Sequence, residues 1–153
     1  MSTKVGKVSH QDKPLEFPAK LEHLYEMLTY IKESATLIGF SNTLISKIEL
    51  AGEEALVNII SHGYPNQPGT ISIYCKKEEL GTLLIVIEDD GIAFNPLKAL
   101  KRFNPEDETR EGKICENSAL GGYGIYFIIN MMDHVDYDYV DGRNILSLRK
   151  YLG

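Results

Sequence analysis

A chain of 153 residues with a formal net charge of −6 has room for one domain and no overall field with which to coat nucleic acid. Hydrophobic residues at 43% and charged residues at 25% exclude wholesale disorder. A chain of this length buries about 70% of its extended surface, so its core needs no disulfide or metal staple. Partners are therefore proteins or small molecules, and a local cationic site for an anion stays open.

Residues 1–13 are polar and lack an apolar signal core, which predicts a solvated N-terminal tail. The longest strongly apolar run, LLIVI, is too short to cross a bilayer, so the expected setting is cytoplasmic, away from membranes. PLEFPA reads as a short strand or an extended lead-in. From Lys20 to Ile38, Leu21, Leu24, Tyr25, Leu28, Ile31, Ala35 and Ile38 recur at helical spacing, and Gly39 stops the helix. Ser41 or Asn42 caps a second helix that runs to about His62, where HGYPNQPG ends it. TISIYCKK and TLLIVIED follow as strands around the hairpin-like EELG.

PLKALKRF is a short helix candidate, and the polar, aperiodic stretch from Asn104 to Ala119 is long enough to be a lid, a binding loop or a disordered segment. GGYGIYFIINMMD restarts a helix straight after glycines. HVDYDYV and NILSLRKYL close the chain as an antiparallel pair around DGRN. No repeat or linker divides residues 14–153. The elements sum to an α+β two-layer sandwich, with helices on one face of a mixed, mostly antiparallel sheet. Cys75 and Cys115 form neither a disulfide framework nor a redox pair, and His10, His23, His62 and His134 have no ligand spacing. These six, with Tyr137 and Tyr139 on alternate strand positions, read as structural.

Three features can carry chemistry. Glu54 and Asn58 lie one turn apart, roughly in line with Lys47, Ala51 and Ser61, while Leu44, Ile48, Ala55, Leu56 and Ile59 supply the core side. Facing water, such a pair is only a polar stripe. Facing a cleft, an amide oxygen suits Mg²⁺ and a carboxylate can take a proton from a hydroxyl. The second feature is Asp89-Asp90-Gly91-Ile92-Ala93 at a strand end. There a carboxylate could accept from an exocyclic amine while Gly91 and Ala93 let a flat ring approach the backbone; an ordinary turn fits as well. The third is Gly121-Gly122-Tyr123-Gly124 opening a helix, whose free N–H groups suit an anion. No P-loop is present.

In this order, Glu-x-x-x-Asn, Asp-x-Gly-x-Ala, a lid-length loop and Gly-x-Gly resemble the GHKL ATPases, the family of gyrase, Hsp90, histidine-kinase and MutL ATP-binding domains. The resemblance spans roughly Pro14 to Leu152. EEALVNIISHGY and GGYGIYFIINMMD look most like the bacterial anti-sigma factor serine kinases. It implies a GHKL-type sandwich with a lid around residues 95–121, using ATP and Mg²⁺. Asn58 would hold the metal, Glu54 would be the general base, and Asp89 would read adenine with Gly91 and Ala93 seating it. Gly122 and Gly124 would form the hinge and phosphate end of the lid, and Arg110 or Lys113 could meet the γ-phosphate.

Implied partners are a sigma factor, a STAS-domain anti-anti-sigma protein phosphorylated on serine, and a second copy in a homodimer, with no direct nucleic acid contact. One departure stands out. Many relatives place Gly-Thr before the last strand, where the hydroxyl approaches phosphate; here the stretch is Gly142-Arg143-Asn144, and Asn144 could donate instead. The rivals are a non-catalytic nucleotide-binding regulator and a detached histidine-kinase catalytic domain. The latter is weakened because His23 is followed by Leu24, with no acidic neighbour after it.

Overall fold

The computed structural model describes residues 13–64, 67–97 and 122–152. Nearly all of the expected tail, most of the expected lid, and Arg110, Lys113, Cys115 and Gly121 lie outside them. Strand β1 is Leu15–Pro18; after a 3-10 turn at Leu21–His23, helix α1 runs Leu24–Ile38. Gly39 ends it at φ 111°, a left-handed conformation that costs a residue without a Cβ little, and its N–H returns to the carbonyls of Ala35 and Thr36. The buried stripe is Met27, Leu28, Tyr30, Ile31, Ser34 and Ala35. Leu21 and Tyr25, expected to face inward, are 58% and 80% exposed. The inward face is thus rotated from the expected one, with Met27, Tyr30 and Ser34 on it.

Helix α2, Asn42–Gly63, is capped by Ser41, whose hydroxyl accepts from the Leu44 N–H at 3.2 Å. It meets α1 closely at Gly52, where a Cβ would come within 3.3 Å of Leu28 Cδ2. Ile45, Ile48, Ala51, Gly52, Ala55 and Leu56 are buried, and Leu44 and Ile59 pack partly against the same core. Ala51 is therefore a core residue and not part of an outward polar stripe, whereas Lys47 and Ser61 are exposed. Seven residues after Ala51, close to two full turns, Asn58 shares that inward direction.

Strands β2 (Thr70–Lys77) and β3 (Leu83–Asp89) form the expected hairpin, turning through Glu79–Gly81. Helix α3, Gly122–Met131, leads to β4 (His134–Val140) and β5 (Arg143–Lys150). Asp141 and Gly142 join these last two strands with φ of 52° and 79°, the two positive values that a tight hairpin of primed type needs. The sheet order is β1-β2-β3-β5-β4, and every pairing is antiparallel; no parallel pair of the expected mixed sheet occurs among the described strands. Alternate residues of β2, β3 and β5 are buried under the helices, giving a two-layer α+β sandwich. Cys75 faces this core, and burial pushes its thiol up to about 12.

Antiparallel register decides what lies where the core meets the surface. Asp89 ends β3 directly opposite Asn144 of β5, and both point to the helical face. The same face of the sheet that buries isoleucine and leucine along its length therefore finishes in a carboxylate and an amide beneath the end of α2.

Candidate functional site

Asp89 is 2% exposed, and its Oδ1 accepts from the Gly91 N–H at 2.8 Å and from Asn144 Nδ2 at 3.0 Å. Both bonds fall on Oδ1, so Oδ2 has no donor among the described residues. Burial lifts the Asp89 carboxyl above the usual aspartate range, and the bonds from Gly91 and Asn144 oppose that shift. The following turn is fastened to the end of α2. Tyr64 donates its hydroxyl to Asp90 Oδ1 at 2.6 Å and accepts from the Asp90 N–H at 2.9 Å, and the Ile92 N–H donates to the Gly63 carbonyl at 3.2 Å.

Gly91 is required by this clamp. A Cβ there would stand 2.6 Å from the Gly63 carbonyl oxygen, backbone against backbone. The space that a small residue was expected to leave for a flat ring is thus filled by α2 itself. Ala93 is exposed and does not line the cleft; Ile92 and Phe94, on either side of it, do.

Asn144 also departs from expectation. It lies within β5, and its Nδ2 faces Asp89 and the carbonyls of Gly91 and Ile92. Its Oδ1 accepts from the Phe94 N–H at 3.1 Å and from the Tyr137 hydroxyl. With both ends of the amide engaged, Asn144 organises the Asp89 end and has no spare donor for phosphate. Tyr137, expected to be plain sheet surface, is partly buried at the cleft, whereas Tyr139 is exposed.

From Asp89 a mostly apolar cleft of about 430 Å³, counting the space at its mouth, runs along α2 to Asn58. Asn58 is 9% exposed, and its Nδ2 has no hydrogen-bond partner among the described residues. His62, one turn further on, stacks on Phe94 with ring centroids 5.2 Å apart and planes 20° from parallel; its Nε2 is likewise enclosed and partnerless. Among the described residues these are the two buried side-chain nitrogens or oxygens left without a partner, and both line this one cleft. Each costs about 1–3 kcal/mol when unmet, a pattern that marks a place meant for a ligand.

Glu54 is half-buried one turn before Asn58. Loss of water raises its carboxyl pKa, with help from the neighbouring Glu53. The first turn of α3 lies across the pair: a Cβ on Gly124 would come within 2.9 Å of Asn58 Nδ2 and 3.1 Å of Glu54 Oε1. Gly122 is the first residue of that helix. The structure therefore gathers Asp89, Asn58, Glu54 and Gly124 along one side of α2, gives Gly91 a packing task, and leaves Ala93 outside.

The Asn58 amide suits a hard cation, because rotation about its last bond exchanges Nδ2 for Oδ1 in the same enclosed position. Among the described residues no cluster of three or more His, Cys, Asp and Glu side chains could hold a metal on its own. Magnesium keeps several waters and takes phosphate oxygens of its substrate, so it asks few ligands of the protein.

The family model of the histidine kinase-like ATPase domain matches residues 17–150 of the chain. The protein belongs to this family. Among curated relatives, the serine-protein kinases RsbW of Bacillus thuringiensis (strain Al Hakam) and Bacillus cereus (strain 03BB102) are each 28% identical over 138 residues, covering 90% of this chain and 83% of theirs. Among solved structures, the Erythrobacter litoralis EL346 blue-light activated histidine kinase superposes with a TM-score of 0.55 at 13% identity, over 81% of this chain and 41% of that one. The histidine kinase domain of the same protein gives 0.52 at 14% identity, over 84% of this chain and 61% of that one. At such identities the likeness is one of fold. No described helix of this histidine kinase-like ATPase domain is long and apolar enough to cross a membrane.

Proposed function

We propose that the protein binds ATP with Mg²⁺ in this cleft and transfers the γ-phosphoryl group to a serine of a STAS-domain anti-anti-sigma partner. In its other state it sequesters a sigma factor. The observation that carries the nucleotide assignment is the pairing of two enclosed, partnerless nitrogens with a buried carboxylate along one cleft of an ATPase-family fold. The serine-kinase relatives, matched over most of their length, support the transfer to serine. Homodimerisation and action in the cytoplasm belong to the same proposal.

Asp89 would accept the exocyclic amine of adenine on Oδ2. The Asn58 amide oxygen would hold a magnesium ion, which when bound supplies charge neutralisation for the phosphates. Glu54 takes the proton of the serine hydroxyl as that oxygen bonds to the γ-phosphorus. The bond to the bridging oxygen breaks and ADP leaves. Desolvation makes Glu54 a stronger base than a carboxylate in water, and positioning with charge neutralisation does most of the remaining work. Gly122 and Gly124 would let α3 withdraw from Glu54 and Asn58 when phosphates enter.

The test is phosphoryl transfer from γ-labelled ATP to a STAS-domain partner. Transfer should vanish in Glu54→Ala while ADP binding persists. Tight nucleotide binding with no label on any serine would remove the kinase step. One observation favours a second reading: Gly124 covers Glu54 and Asn58, so nucleotide entry alone must shift α3 and the surface it presents. A regulator that senses ATP without chemistry would use that shift, and it is what such a result would leave standing.

A further inference from the structure

Glu54, Asn58 and His62 recur at intervals of four on α2, each about 6 Å further along the helix axis. Beyond His62 comes Gly63, whose Cα hydrogen faces Asp89: a Cβ there would be 3.6 Å from Asp89 Oδ1. Along α2, His62 therefore comes after Asn58 and just before the Gly63 that faces Asp89. Asn58, His62 and Asp89 all line the one cleft, in the order in which phosphates, sugar and base follow one another in a nucleotide. We propose that His62 reads a sugar hydroxyl of the nucleotide through Nε2, so that the cleft selects ribonucleotides over their deoxy counterparts. This rests on the nucleotide assignment above and adds a specificity residue to it.

A hydroxyl is the group that fits. It both donates and accepts, so it satisfies Nε2 in either tautomer of a neutral imidazole, whereas a phosphate oxygen can meet only an N–H. The ring is held in advance: it stacks on Phe94, and the Phe94 N–H is bound to the same Asn144 amide that braces Asp89. Base reading and sugar reading are therefore fixed to one another through a single side chain. A site built around a hydroxyl rejects the analogue that lacks it, because its own polar atom is then left unmet.

The experiment is calorimetric titration of the full chain with ATP, 2′-deoxyATP and 3′-deoxyATP, for the wild type, His62→Phe and His62→Leu. The wild type should bind at least one deoxy analogue about 5-fold more weakly than ATP, the range of one net hydrogen bond. In His62→Phe, which keeps an aromatic ring against Phe94, that ratio should fall to about one, and His62→Leu should agree. The ratio is the decisive readout, since a general loosening of the cleft weakens all three ligands alike. Equal affinities in the wild type, or an undiminished preference in either folded variant, overturns the proposal. A wild type that titrates with none of the three overturns the nucleotide assignment itself.

Discussion

Replacing Asp89 with Asn should separate ligand affinity from stability. The side chain is 2% exposed, and both of its hydrogen bonds reach Oδ1. An isosteric amide keeps them through its oxygen and sets an NH₂ where Oδ2 stood. Burial raises the Asp89 carboxyl, so the folded protein holds that proton more tightly than the unfolded chain does. Its ionisation then costs stability, which is lost as pH rises through the folded-state range; the amide carries no such cost. The urea midpoint of Asp89→Asn should equal or exceed that of the wild type at neutral pH, and its advantage should shrink as the solution is acidified. Binding should move the other way. A charged acceptor facing an amine contributes about 1.5–3 kcal/mol, or roughly 10- to 150-fold in Kd, and the variant puts a donor against that donor. Calorimetry with ADP, and urea melts from neutral pH down into the ordinary aspartate range, read both quantities. Unchanged ADP affinity would sink the adenine contact. A fall in stability that parallels the fall in affinity would reduce Asp89 to a clamp for the turn.

Glu54→Gln should abolish serine labelling while Mg·ATP affinity stays within a few-fold, and it should stabilise the fold slightly by removing a desolvated charge beside Glu53; a variant that still labels its partner rules out the base. Gly91→Ala forces a Cβ to within 2.6 Å of the Gly63 carbonyl and should destabilise by about 1–3 kcal/mol in urea melts. Gly124→Ala presses on the Asn58 and Glu54 side chains, which can yield, so its stability loss should be smaller while its effect on Mg·ATP affinity is larger. The Cys75 thiol, buried and held near pKa 12, should react with a thiol reagent only on the timescale of unfolding; rapid labelling of a Cys115→Ala background would contradict its place in the sheet.

The local grammar of the chain was legible because its signals are local. Gly39, Ser41 and Asp141-Gly142 each specify a backbone conformation or a cap within a few residues, and each is found where the sequence puts it. The Glu54–Asn58 pair was legible as one face of a helix. Which way that face turned was not, because Ala51 fits core and surface equally well and only packing decides. Roles set by register were also hidden. Asn144 looked like part of a turn, yet antiparallel pairing sets it opposite Asp89, 55 residues earlier in the chain. Gly91 looked like room for a ligand, whereas the contact that demands it comes from Gly63 on another element. His62 had no ligand spacing to betray it. Its i+4 relation to Asn58 was the one available signal, and that acquires meaning only once the cleft is known to run along α2.

The partnerless Asn58 and His62 nitrogens also bear on how the unliganded protein behaves. Two enclosed polar groups at about 1–3 kcal/mol each are a sizeable part of the 5–15 kcal/mol by which a domain is ordinarily stable. A fold bears that cost where the groups are rewarded by something arriving later. Nucleotide should therefore stabilise this domain both by mass action and by meeting groups that the empty cleft leaves unmet. The contact most exposed to that change is Gly124 on Glu54 and Asn58, because it occupies the end of the cleft assigned to the phosphates while satisfying neither orphaned nitrogen. A glycine makes that packing close without bonding to what it covers. Helix α3 is held by the apolar burial of Ile125 and Ile128 and, at its far end, by Lys150 Nζ on the Met131 carbonyl, so its first turn, over Glu54 and Asn58, is the part whose position the ligand can reset.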